Sequence, residues 1–170
     1  MRVTILGLGN TLLQDEGFGV YFLRHLEKNF SFPETVRLVD GGTLGFGLLD
    51  TVTSCDRLFV IDIIKSDDSP GTIYRFTHRE MELRLPEPTS AHEVEFFDVL
   101  AMAELMGEQP ETTFLCIAPQ EYGGDELCTG MTPAMHEAFP TMEKLVFREL
   151  AACGISPRRR PPAEKTVSDA

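Results

Sequence analysis

No apolar run in this 170-residue chain approaches the ~20 residues that span a bilayer, which argues against membrane insertion. The start, Met1-Arg2-Val3-Thr4-Ile5-Leu6, lacks the apolar core and cleavage site of a secretory signal, so the expected compartment is the cytoplasm. Cys55, Cys116, Cys128 and Cys153 form no C-x-x-C pair and have no zinc-finger spacing. Widely spaced thiols in a cytosolic chain are expected to be reduced, with Cys55 and Cys128, in polar surroundings, expected at the surface. Basic residues are scarce, 15 against 27 acidic, for a net charge of −12. Such a surface repels phosphate backbones and argues against nucleic acid; a cationic or metal-bearing partner fits better. Internal repeats and interior low-complexity linkers are also missing. A hydrophobic share of 42% and a charged share of 25% fit one ordinary globular domain.

What is present is an alternation of apolar runs and helical stripes. Residues 3–8 read as a buried first strand. Phe18, Phe22, Leu26 and Phe30 recur at intervals of four, predicting a helix over 16–29 with Asp15 as its cap. A second strand over 35–39 ends at Asp40-Gly41-Gly42-Thr43, and 44–54 read as a short helix weakened by Gly45 and Gly47. Leu58-Phe59-Val60-Ile61 lacks alternation, as expected of a central strand covered on both faces. Residues 71–76 alternate and fit an edge strand, antiparallel to its neighbour; 77–90 read as a charged, proline-bearing loop. A helix over 91–106 stops at Gly107, and 112–118 form the last central strand. An acidic loop over 119–131 leads to Thr132-Pro133, which opens a final helix that Pro140 should kink or split. This order predicts a single three-layer α/β domain over residues 1–154, with a mostly parallel twisted sheet of about five strands and helices on both faces. A disordered basic Pro/Arg tail is expected over 155–170.

In such a sheet the loops at the carboxyl ends of neighbouring strands converge on one crevice. Glu16, Asp62 and His92 each fall where a predicted strand has just ended. Two hard oxygens and an imidazole suit a borderline divalent transition metal and leave coordination positions open. Each residue also has a plainer reading. Glu16 suits the positive first turn of a helix, though Gly17 and Gly19 beside it cost helix stability and suggest close approach of another chain. Asp62, flanked by isoleucines, must be paired, ligating or at the solvent edge. His92 falls inside a capping box, Ser90-Ala91-His92-Glu93, where the helix dipole favours the neutral ring. Asp40-Gly41-Gly42-Thr43 reads as a turn, or as a contact for a peptide beside the crevice. Gly7-Leu8-Gly9 is not a dinucleotide fingerprint: the third glycine would be Leu12, and Asp15 and Glu16 would repel a pyrophosphate, so no nucleotide is expected. No Ser-His-Asp or Cys-His set accompanies these segments.

Taken in order, Gly7-Leu8-Gly9-Asn10, Asp15-Glu16-Gly17-Phe18-Gly19-Val20, Asp40-Gly41-Gly42-Thr43, Val60-Ile61-Asp62 and Ser90-Ala91-His92-Glu93 resemble the endopeptidases that mature nickel–iron hydrogenases. The resemblance covers about residues 1–150 and leaves out the basic tail. It implies a helix–sheet–helix sandwich and a hydrolase that removes the C-terminal extension of the hydrogenase large-subunit precursor after nickel insertion. It further implies that Glu16, Asp62 and His92 contact nickel borne by the substrate, and that Asp40, Gly41, Gly42 and Thr43 help recognise the substrate. Asp62 is also the candidate catalytic residue. Two other readings are an autonomous metallohydrolase with its own ion, and a non-enzymatic metal-checking or chaperone module.

Overall fold

The computed structural model describes residues 1–84, 91–122 and 127–161; the side chains of 84 and 91–94 lie outside the description. The strands are β1 (Val3–Leu8), β2 (Phe30–Ser31), β3 (Val36–Gly42), β4 (Arg57–Ile63), β5 (Ile73–Thr77), β6 (Glu111–Ile117) and β7 (Arg158–Arg159). The helices are α1 (Phe18–Asn29), α2 (Leu49–Thr53), α3 (His78–Arg84), α4 (Ala91–Leu105), α5 (Pro133–Glu137) and α6 (Phe139–Ala152). Two 3-10 turns, Gln14–Gly17 and Gly45–Leu48, precede α1 and α2.

Five strands form one sheet in the order β3-β1-β4-β6-β5. All pairings are parallel except β5 on β6, so the expected antiparallel edge strand is present. Strand alternation sends Val3, Ile5, Phe59, Ile61 and Ile63 to the face covered by α1, α5 and α6. Leu6, Leu8, Leu58, Val60 and Phe114 go to the face covered by α2, α3 and α4. Both faces are buried, which is why β1 and β4 lack the polar–apolar alternation of a half-exposed strand. Pro140 divides the last helix as expected, leaving α5 and α6 either side of Ala138.

Several local expectations are corrected. The predicted loop over 77–90 contains α3, because Thr77 and Glu80 form a capping box: Thr77 N–H donates to Glu80 Oε2 at 2.8 Å, and Glu80 N–H to Thr77 Oγ1 at 3.3 Å. Met81 then buries against the core. The helix expected over 16–29 starts only at Phe18, with Gly17 rather than Asp15 at its N-cap. Strand β3 runs on through Asp40 and Gly41 to Gly42, with an irregularity where its register with β1 shifts. The helix expected over 44–54 is a 3-10 turn followed by the short α2. Cys55 is buried, not exposed, and its thiol donates to the Val52 carbonyl; burial pushes that thiol upward in pKa. Cys128 is exposed, and all four cysteines are free.

Residues 155–161 depart from the disordered tail expected of them. Ile155 is buried, Arg158–Arg159 pair antiparallel with Phe30–Ser31, and Arg160 donates from Nε to the Phe30 carbonyl at 2.7 Å. An arginine run reads as solvated, but here its backbone completes a small ladder against the end of α1. The rest of the expected tail, 162–170, lies outside the described residues.

Candidate functional site

The chain leaves β1 toward β3 on one side and leaves β4 toward β5 and β6 on the other. The sheet therefore has its topological switch point between β1 and β4, where an open α/β sheet forms its crevice. Glu16 lies in the 3-10 turn after β1 and is 7% exposed. Asp62 is the last residue but one of β4, inside the strand rather than after it, and is 4% exposed. Two buried carboxylates thus belong to the two segments that flank the switch point.

Backbone packing fixes the turn that carries Glu16. A Cβ on Gly19 would strike the carbonyl oxygens of Leu8 and Ile61 and stand 2.8 Å from Leu8 N. Only glycine lets the first turn of α1 seat on the seam between β1 and β4. Gly9 has φ +124°, and a Cβ there would strike the Glu16 carbonyl. Gly17 has Thr11 Cα within 2.8 Å of its Cβ position. The close approach expected from another chain is therefore made by this chain's own backbone, and these glycines speak for Glu16's position rather than for a ligand.

Asp15 has a larger part than the cap expected of it. It is fully buried, and its carboxylate accepts from Gln120 N at 3.0 Å, Glu121 N at 3.0 Å, Thr132 N at 2.8 Å and Thr132 Oγ1 at 2.9 Å. Thr132 does stand at the N-cap position of α5, but its hydroxyl is turned to Asp15 and makes no capping bond. A second tie is backbone only: Gln14 N donates to Cys128 O at 2.7 Å and Cys128 N to Leu12 O at 2.9 Å. Together these ties clamp the segment around Glu16 to the acidic loop after β6. Nothing local in the sequence signals this; an acid beside a helix start reads as a cap.

Asp62 shares strand parity with Leu58 and Val60, so it belongs to the face covered by α2–α4. Its Oδ1 accepts Ile63 N–H at 2.8 Å, and its register partner on β6 is the buried Cys116. Cys116 was given no role by the sequence, yet it lies beside Asp62 on the same face. His92 stands in the first turn of α4, while its side chain and the rest of the expected capping box lie outside the description. Helix α4 leads into β6, which runs parallel to β4. A 15-residue helix is roughly 22 Å long, about the length of a seven-residue strand, so its first turn returns to the carboxyl edge of the sheet.

That first turn also meets the segment after β3. Glu95 Cδ stands 3.1 Å from the Cβ position of Gly45, just beyond Asp40-Gly41-Gly42-Thr43. Within this segment Gly41 is buried, Gly42 has φ +45°, and Thr43 is exposed. Asp40 is exposed and pairs with Arg24 at 3.3 Å, a surface contact of small energy. Among the described residues, no group of three or more His, Cys, Asp or Glu side chains is placed to hold a metal ion. The donors that remain, two carboxylates with a histidine position near the same edge, are hard and borderline ligands suited to complete the shell of a divalent ion brought by something else.

A family model described as hydrogenase maturation protease (HycI) matches residues 20–149, a span that holds Asp40–Thr43, Asp62 and His92 but begins after Glu16. The Hydrogenase 2 maturation protease of Escherichia coli (strain K12) is 32% identical over 157 residues, 91% of this chain and 94% of that protein. The hydrogenase expression/formation protein HupD of Thiocapsa roseopersicina is 33% identical over 160 residues, 94% of this chain and 72% of that protein. The solved structure of the hydrogenase maturating endopeptidase HybD from E. coli superposes with a TM-score of 0.87 at 30% identity, covering 94% of this chain and 98% of that one.

Proposed function

The chain belongs to the hydrogenase maturation protease family and is therefore a peptidase; on that premise we propose that it removes the C-terminal extension of a nickel–iron hydrogenase large-subunit precursor, once nickel has been inserted. Glu16, Asp62 and His92 contact the nickel that the precursor carries. Asp40, Gly41, Gly42 and Thr43 receive the peptide beside it. Asp62 is the residue nearest the chemistry, and the site works in the cytoplasm where the precursor is assembled.

The observation that carries this reading is the pair of buried carboxylates, Glu16 and Asp62, on the two segments flanking the switch point. Carboxylate oxygens are hard donors, and at this edge they suit a divalent cation that arrives with the substrate. Two carboxylates and one imidazole leave coordination positions open. Ligands already on the precursor fill them, so productive docking depends on a loaded substrate. That logic makes nickel a feature of the substrate and leaves the enzyme without a resident metal of its own.

The test is incubation of the purified protein with nickel-loaded and with nickel-free precursor, reading the C-terminal mass of each. Loaded precursor is expected to shorten without added metal and unloaded precursor to keep its full mass. Tight one-to-one metal in the free protein, together with cleavage of unloaded precursor, would favour an autonomous metallopeptidase. Asp62→Asn and His92→Ala are expected to slow processing by at least about 100-fold each. Wild-type rates in both would remove these residues from the site.

A further inference from the structure

Strand β5 is the edge of the main sheet, and among the described residues no strand covers its outer side. Its hydrogen-bonding direction follows from the ladder. Ala118 N donates to Thr72 O at 2.8 Å, so Thr72 faces β6. Antiparallel alternation then turns Tyr74 and Phe76 toward β6, and turns the N–H and C=O of Ile73, Arg75 and Thr77 outward. Thr77 N–H is taken by Glu80. Ile73 and Arg75 are left presenting a donor and an acceptor each along the open edge.

Beside this edge lies a cavity of about 430 Å³. One wall is β5 at Ile73–Arg75. The other is a single stripe of α6, Thr141, Lys144, Leu145 and Arg148, at helical spacing. An edge strand facing a helix across a groove is the arrangement that accepts an extended peptide by strand addition: backbone pairing supplies attraction, and alternate side chains reach the helix. The chemistry of the groove is basic, in a chain whose net charge is −12. Arg75 already donates from Nε and Nη2 to Glu149, at 2.8 and 2.9 Å. Arg148 makes only a 3.5 Å contact with the same acid and is largely exposed, and Lys144 is exposed. Two cations therefore stand over the groove with capacity for further carboxylates, above an apolar floor of Ile73 and Leu145.

We propose that the groove between the open edge of β5 and α6 docks an extended acidic peptide segment of a partner protein, which adds as a strand to β5 and sets its carboxylates against Lys144 and Arg148. A second copy of this chain is a poorer occupant, because pairing two β5 edges would bring Arg75, Lys144 and Arg148 against their own mates. The surrounding acidic surface turns away nucleic acid. The groove lies at the end of the sheet order, with β6 between it and the β1/β4 crevice.

The experiment uses the full chain and a fluorescent extended peptide alternating Glu with Val and Thr, followed by anisotropy and by residue-resolved amide exchange. Saturable binding in roughly the 10–100 µM range is expected, given so small an interface. Exchange at Ile73 and Arg75 amides should slow at least about tenfold on saturation, while Tyr74 changes little. K144E/R148E should weaken binding at least about tenfold, with circular dichroism confirming that the variant stays folded despite losing the Arg148–Glu149 contact. A peptide with Lys in place of Glu should not bind. No saturable binding, equal binding by K144E/R148E, equal binding of a single-stranded oligonucleotide, or binding without protection of Ile73 and Arg75 would each overturn the proposal. Protection of those amides by raising protein concentration alone, without peptide, would instead show a second copy on the edge and overturn it too.

Discussion

Removing the Asp15 carboxylate should loosen the wall of the crevice more than any change to its exposed neighbours. Four donors converge on this one buried group: Gln120 N, Glu121 N, Thr132 N and Thr132 Oγ1. Hydrogen bonds to a charged acceptor contribute about 1.5–3 kcal/mol each, so the gross interaction is roughly 6–12 kcal/mol. The net loss in Asp15→Ala is smaller. The substitution also removes the desolvation cost of the acid, and Gln120 and Glu121, being exposed, can turn to water. Thr132 is buried and cannot. The expected destabilisation is about 3–5 kcal/mol, at the upper end for single substitutions. For a chain of 170 residues that lowers the melting temperature by roughly 6–20 °C. Asp15→Asn should lose nearly as much, because its amide presents hydrogens to donors. Urea denaturation followed by circular dichroism measures both, and Thr132→Val completes a double-mutant cycle with a coupling expected above about 1 kcal/mol. If both Asp15 variants unfold within about 0.5 kcal/mol of wild type, Asp15 does not hold the loop and the account of the crevice wall is wrong.

Three further outcomes follow from other contacts. Gly19→Ala should cost more than about 4 kcal/mol, because its Cβ meets only backbone atoms and no rotamer can move aside; a variant melting within about 2 °C of wild type would contradict the seating of α1. The Arg75 guanidinium beside Glu149 holds its carboxyl below the usual range, so the pair's contribution is present above the unfolded carboxylate pKa of about 4.3 and is lost as pH falls through the depressed folded value. Glu149→Gln should therefore flatten the acid limb of the stability curve, by about 1 kcal/mol once the exposure of Arg75 is discounted, and an unchanged slope would count against the pair. Truncation after Pro161 should leave the urea midpoint alone, whereas truncation after Gly154 removes the Ile155 contact and the β2–β7 ladder and should cost about 2–4 kcal/mol; equal midpoints would show that the ladder contributes nothing.

The layer order was legible because burial on both faces leaves a clear mark: apart from Thr4, Arg57 and Asp62, β1 and β4 carry apolar residues or glycine toward both layers, and the helices between them carry stripes. Errors gathered where a local signal had two uses. Thr77 and Glu80 form a capping box, yet the nearby prolines and charges made their segment look like a loop. Asp15 had the right chemistry for a cap and was spent on a loop more than a hundred residues away. Arg158 and Arg159 join a ladder through backbone groups, which side-chain composition does not report.

The candidate site divides along the same line. Parallel strands put their carboxyl ends on one edge, so the sequence could assign Glu16 and Asp62 to that edge, whereas the strand order and its switch point are visible only in the fold. What it misread was the reason for the glycines. Gly17 and Gly19 looked like room for a partner, but they are room for β1 and β4. The consequence is that the position of Glu16 is held by backbone contact on one side and by the Asp15 clamp on the other, independently of any metal or substrate. If the proposed site includes Glu16, a position preset in this way needs no ordering when a substrate arrives. Substitutions that disturb the clamp, such as Asp15→Ala, should therefore impair processing even where the chain still folds, while Glu16, Asp62 and His92 keep their identities.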